Sequence, residues 1–162
     1  MAELKGGNKL AEKLAEMVTL VNNASAVKVG FLAEARYPDG TPVAMIAAIL
    51  DFGAPAAGIP PRPFFRNMIA KKKGEWPEVI ANLLKANDYD ALRTLQQTGE
   101  AVAGQLRQSI IDTNEPPLAA STLAKRGVSG MVYDPKNPKT FGAKPLVETG
   151  HLLNSTGYQV KE

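Results

Sequence analysis

The chain has no cysteine, and only one histidine and one tryptophan, among its 162 residues. Without a thiol there is no disulfide framework, no thiolate zinc site, no iron–sulfur cluster and no cysteine nucleophile. That absence suits a reducing compartment. The single histidine, His151, offers a nucleophilic triad one candidate base, and its only acidic neighbour in sequence is Glu148. Metal-ligand spacings such as HExxH or an EF-hand loop are missing, and Gly53, Gly58 and Gly74 do not make GxxxxGK[ST] or GxGxxG. The chain therefore reads as a protein that is not an enzyme, with no cofactor and no metal. Long apolar runs are also lacking, none reaching the roughly 18 residues of a membrane span. The start, Met1-Ala2-Glu3-Leu4-Lys5-Gly6-Gly7, has no signal-peptide core. The expectation is a soluble protein made in a cytoplasm and making no membrane contact.

What is present fits one globular domain. At 44% apolar and 22% charged residues, the chain is long enough to bury a core without staples. A net charge of +3 is too small to argue for nucleic acid from the total alone. Its distribution says more. Arg62, Arg66, Lys71, Lys72 and Lys73 stand in a stretch without acid, whereas residues 75–115 hold seven acids against Lys85, Arg93 and Arg107. Either these blocks dock by charge complementarity or they are solvated helix ends.

Along the chain, Asn8 reads as an N-cap, followed by Leu10, Leu14, Val18 and Val21 at helical spacing. Val27, Val29 and Phe31 alternate as in a half-buried strand, and Tyr37-Pro38-Asp39-Gly40 is a turn. Thr41 as cap and Pro42 at the first helical position would open a helix whose stretch Val43–Leu50 is apolar all round, the pattern of a buried central helix closed by Gly53. The prolines of residues 54–63 make a stiff loop until Pro63 opens the next helix. There Phe64, Phe65, Met68 and Ile69 form an apolar stripe before Lys71-Lys72-Lys73-Gly74. A single-strand nucleic-acid binder also sets aromatics among basic residues, but this stripe favours core packing.

Trp76, Ile80, Leu83 and Leu84 mark a helix entered through Pro77. A longer one is expected from Asp88 to Asp112, in which Gly99 and Gly104 imply close packing or a kink. From Thr113 to Glu148 periodicity fails, with one helical turn expected near Ala119–Arg126. Lys125, Arg126, Lys136, Lys139 and Lys144 make this segment basic, as in an arm that docks on something acidic and orders as it docks. Thr149 as cap, a turn through His151 and Leu153, and a strand through Tyr158 and Val160 close the chain. The whole reads as one α+β domain over residues 1–162: a small, mostly antiparallel sheet packed against several helices, with a long projecting loop at about 113–148.

Three blocks occur in a set order. The first is Ala44–Gly53 with Ile59-Pro60-Pro61-Arg62-Pro63-Phe64-Phe65-Arg66; the second is Pro116-Pro117-Leu118 with Ser121-Thr122-Leu123-Ala124-Lys125; the third runs from Lys144-Pro145-Leu146 through Thr149-Gly150-His151 to Ser155. Together they resemble the head–tail joining, or tail-completion, family of tailed bacteriophages, also known as virion morphogenesis or minor tail proteins. The similarity runs from Val27 to Val160. Asp51, Ala54, Pro61 and Glu148 stand where that family often has Glu, Thr, Ala and Asp. The resemblance implies a non-catalytic virion protein, made in the bacterial host cytoplasm, that completes the tail or neck and joins the DNA-filled head to it. It implies a ring, commonly sixfold, touching neck or connector and tail-terminator proteins and possible DNA in the channel. Interface candidates on that reading are Pro60, Arg62, Pro63, Arg66, Lys125, Arg126, Lys136 and Lys139, with Arg62 alternatively capping or pairing locally. A tail terminator, a head-completion adaptor and, in a different class, a nucleic-acid-binding module are the competing readings.

Overall fold

The computed structural model describes residues 7–147 and 149–162, so the expectations resting on Met1–Gly6 and Glu148 lie outside the described residues. The spine is a helix, α5, over Ala91–Asp112. Around it stand α1 (Gly7–Val21), α2 (Val43–Phe52), α3 (Phe64–Lys72) and α4 (Trp76–Ala86). Short α6 (Ala120–Lys125) and α7 (His151–Asn154) follow. Strands β1 (Ala26–Phe31) and β2 (Thr156–Lys161) pair antiparallel, with Ala26 opposite Lys161 and Phe31 opposite Thr156. The result is the expected α+β architecture.

A two-stranded sheet is marginal alone, so its stability comes from packing. Here α5 supplies the platform for both strands. Gly99 is what lets the layers approach: a Cβ there would collide with the Tyr158 ring and come within 2.9 Å of Val27 Cγ2. Gly104 meets nothing within 4 Å, so the close packing expected of both glycines belongs to Gly99 only. The core joins Val43 and Ala47 of α2, Phe64 and Met68 of α3, Leu106 and Ile110 of α5 and Leu152 of α7. The aromatic-basic stretch thus turns its phenylalanines inward, Phe64 fully and Phe65 in part.

Several helix ends differ from expectation for identifiable reasons. Asn8 lies inside α1. Thr41 does not cap α2; its amide bonds Asp39 Oδ1 at 2.9 Å, and Pro42 takes the cap position. α5 begins at Ala91, because Asp88 and Tyr89 hold positive φ angles of 53° and 65° and break the helical path. Asp90 then caps it through Arg93 N, while Asn23 bonds Asp90 Oδ1 and accepts from Leu92 N. Those bonds tie the α1–β1 connection to the start of the spine. At the other end Gly150, with φ 69°, caps α7 in place of Thr149, whose hydroxyl receives His151 N.

Two helices present apolar residues outward. α2 is not a central buried helix: Val43, Ala47 and Asp51 face inward, whereas Met45 and Phe52 are 50% and 64% exposed. On α1 the apolar stripe faces solvent, with Leu10, Leu14 and Val18 all more than half exposed.

Candidate functional site

Asp51, the last inward residue of α2, is a buried carboxylate with a full set of donors. Its Oδ1 accepts from Phe65 N at 2.8 Å and Oδ2 from Arg66 Nε at 2.6 Å. Pro63 occupies the α3 cap position but has no side chain that can bond there, so Asp51 caps α3 from the preceding helix. Gly53 makes the required turn at φ 78°, and a Cβ there would lie 2.8 Å from Pro61 N. Arg66 also donates to Asp51 O at 2.7 Å and lies over the Phe52 ring, 4.3 Å from its centroid. Its charge is thereby partly used at home, although its side chain remains about half exposed.

Arg62 departs from the interface role expected of it. It is 4% exposed, with Nε donating to Pro116 O and Nη2 to Pro117 O, each at 2.9 Å. Its own amide bonds Leu50 O at 2.8 Å. Two carbonyls of consecutive prolines make a fork-shaped acceptor, which a guanidinium matches and an ammonium does not. Burial, and next the nearby Arg126 charge, pull its pKa below the usual arginine value. Of the two readings of Arg62, local pairing is the one its position fits.

The clamp joins the first two sequence blocks, and the third lines the same cavity. A cavity of about 530 Å³ is lined by Leu50, Ile59 and Arg62 from the first block, Leu118 and Thr122 from the second, and Leu146 and Leu152 from the third. His151 lies on its wall, ring against Tyr37 at 4.5 Å and Nε2 2.9 Å from Arg36 O. These are packing contacts that hold the turn after Tyr37. Among the described residues, no group of three His, Asp or Glu side chains gathers as metal ligands would.

The other candidate residues fall into three sets. Pro60 is exposed and Pro63 half-buried on the rim of the stiff loop. Arg126 is half-buried, its Nη1 donating to Gly142 O at 3.3 Å and Lys144 O at 3.0 Å, which makes it a strut within the irregular segment. Lys125, Lys136 and Lys139 are exposed, and among the described residues none of them forms an ion pair.

The irregular segment folds back on itself through its own contacts. A 3-10 stretch at Pro138–Ala143 packs back on Tyr133: the Phe141 and Tyr133 rings are 6.0 Å apart, and Lys144 Nζ reaches Tyr133 OH at 2.9 Å. Thr140 Oγ1 accepts from Asp134 N and donates toward Asp134 O. Pro145 is fully buried at its base. Residues 128–144 are thus a small lobe with internal bonds, presenting Met131, Val132 and Phe141 at 38%, 73% and 52% exposure.

No family model, no curated protein and no solved structure matches this chain. Its function is therefore argued from its own residues. Sequence reasoning missed Asp51 and Asn23, both polar residues that serve a helix distant in sequence. Asp51 carried a faint signal, as a lone acid ending an otherwise apolar helix. Asn23 carried none, standing among the polar residues between Val21 and Val27.

Proposed function

We propose that this chain is a non-catalytic structural subunit of a tailed-phage virion, completing the tail or neck and joining the DNA-filled head to it as a member of a ring. The observation that carries the reading is the convergence of the three blocks on one cavity. Residues that make up the resemblance, 54 and 55 positions apart across the Arg62 clamp, close on each other as a single packed unit. An ordered set of short motifs that also meets in space is a stronger sign of shared architecture than the motifs singly.

The exposed apolar surfaces on α1, α2 and the lobe support the same reading, because a subunit that works by assembly carries such patches outside its core. Its partners would be further copies of itself and the neck, connector and tail-terminator proteins on either side, in the virion. For the nucleic-acid-binding alternative, Arg62 is buried and Arg66, though half exposed, is paired with Asp51, which leaves less of the basic stretch to meet phosphates. No helix among the described residues is long and apolar enough to cross a membrane.

The test is negative-stain microscopy of particles from a phage carrying an early stop in this gene. Full heads accumulating apart from finished tails is the expected result. Normal infectious virions would overturn the reading and move attention to salt-dependent DNA binding.

A further inference from the structure

Arg62 is committed to the fold at only one edge. A guanidinium carries five N–H donors in a planar fork. Its side-on pair, Nε and one proton of Nη2, goes to the Pro116 and Pro117 carbonyls. The end-on edge, Nη1 with the second proton of Nη2, donates to nothing among the described residues. That edge is one on which a guanidinium takes a carboxylate bidentately. Both acceptors already in place are neutral, and Arg62 enters no ion pair among the described residues. A residue only 4% exposed thus holds a positive charge with no opposite charge against it, whereas buried charges are ordinarily paired.

Arg62 is part of the wall of the cavity of about 530 Å³. Neither Pro116 nor Pro117 lines that cavity, so the edge they occupy is turned away from it and the open edge remains on the cavity side. The described residues of the wall include no Asp or Glu, and Arg126 brings a second guanidinium. Its charge is near enough to bear on Arg62, where it follows burial as a cause of the lowered pKa. Much of the remaining wall is apolar, with Leu50, Ile59, Leu118 and Leu152 contributing. An apolar hollow of this size with a few convergent polar groups is the usual build of a small-ligand site. Phosphate would bring more acceptor oxygens than one guanidinium edge satisfies, and nothing for the leucines to cover. A carboxylate on an apolar body suits both.

We propose that this cavity is a binding site for an organic carboxylate, with the anion on the end-on edge of Arg62 and its apolar body against Leu50, Ile59, Leu118 and Leu152. The site stands apart from the assembly reading and does not depend on it. Ligand charge and Arg62 charge neutralise each other out of water, where the attraction is strongest. A free acid and the C-terminal carboxylate of a peptide share this chemistry.

The test is an NMR titration of the full-length protein at pH 7 and constant ionic strength, following the Arg62 Nε–H and the backbone amides. Hexanoate represents the free acid and N-acetyl-leucine the peptide terminus; hexanol, N-acetyl-leucinamide and inorganic phosphate are the controls. Saturable shifts centred on Arg62, Thr122 and Leu152 are expected with both carboxylates, and binding of each control should be weaker by roughly tenfold or more. Whichever carboxylate binds more tightly names the source. Arg62→Lys is expected to lose stability, so the second variant is Ala119→Phe, at an exposed position on the cavity wall. It should melt with the parent and weaken hexanoate by about tenfold. Glu148, the sequence neighbour of Thr149 in the wall, lies outside the described residues, and Glu148→Gln should bind hexanoate as the parent does. No saturable binding, equal binding of hexanol, or undiminished binding by Ala119→Phe overturns the proposal. So does binding that emerges only in Glu148→Gln, which would make the chain's own carboxylate the occupant.

Discussion

The base that carries the motifs and the lobe that stands on it use the same residue types in opposite ways. In the base, Arg62 is buried on two proline carbonyls and Arg66 is held by a buried Asp51. In the lobe, Lys136 and Lys139 are exposed, and Val132 is 73% exposed where a valine would ordinarily be covered. The contrast teaches that a recognisable motif can mark the scaffold, while exposed apolar and basic residues gather where the sequence is least regular. Charge in the base serves packing; charge in the lobe is available to another molecule.

The sharpest way to break that comparison is to truncate the buried arginine. Arg62→Ala should strand the Pro116 and Pro117 carbonyls and open space against Leu50, costing about 3 kcal/mol. At roughly 2–4 °C per kcal/mol for a domain of this size, the melting midpoint should fall by about 6–12 °C. Arg62→Lys should recover less than half of that, since an ammonium cannot span both carbonyls as the planar fork does. A midpoint unchanged by either substitution would return Arg62 to the list of partner contacts. Asp51→Ala should follow, at about 2 kcal/mol in urea denaturation, because α3 loses its cap and Arg66 its partner. Asp51→Asn should cost about half as much, the amide oxygen still accepting from Phe65 N.

Beneath the base, the two glycines of α5 should separate by sign. Gly99→Ala would press a methyl into Tyr158 and cost about 1–3 kcal/mol, whereas Gly104→Ala meets open space and should stabilise by about 0.5–1 kcal/mol. Thermal melts of the pair would show it. Smaller again is a pH effect at Asp90, whose pKa is lowered first by the Asn23 side-chain bond and then by the Arg93 amide. A carboxylate with a lowered folded pKa contributes stability that is present above its unfolded pKa, near 4, and lost as pH falls through the folded value. Asp90→Asn keeps an N-cap acceptor but not the charge, so it should lower stability slightly at pH 7 and flatten the decline below about pH 4. Urea midpoints between pH 7 and pH 2.5 test this.

What was legible in the sequence follows from how local each cause is. The strands at Val27–Phe31 and Tyr158–Val160, the length of α5 and the turn at Tyr37–Gly40 depend on neighbours in sequence and read directly from periodicity and turn chemistry. The orientation of α2 did not, because an all-apolar helix states that apolar residues are present and not how many sides the fold will cover. The same limit applies to α1, where period alone cannot tell a core-facing stripe from one facing outward. No cap was expected for α3, because its true acceptor, Asp51, comes from another helix. Arg62 could be placed among the basic candidates by its neighbours, but its burial depends on Pro116 and Pro117, which only the tertiary structure brings within 2.9 Å.

The least effect on stability is expected where the effect on assembly should be greatest. Val132→Ser with Phe141→Ser removes apolar surface that the isolated chain leaves in water, so the stability should change by no more than about 0.5 kcal/mol in either direction. Phe141 also faces Tyr133 at 6.0 Å, which makes Val132→Ser alone the cleaner variant of the two. If the base is scaffold and the lobe is contact, these variants fold as the parent does and fail to complete particles in a phage complementation assay. Arg62→Ala should fail the same assay only to the extent that less folded protein accumulates. Lobe variants that complement fully while melting normally would erase the division, because the exposed tip would then be surface with no partner.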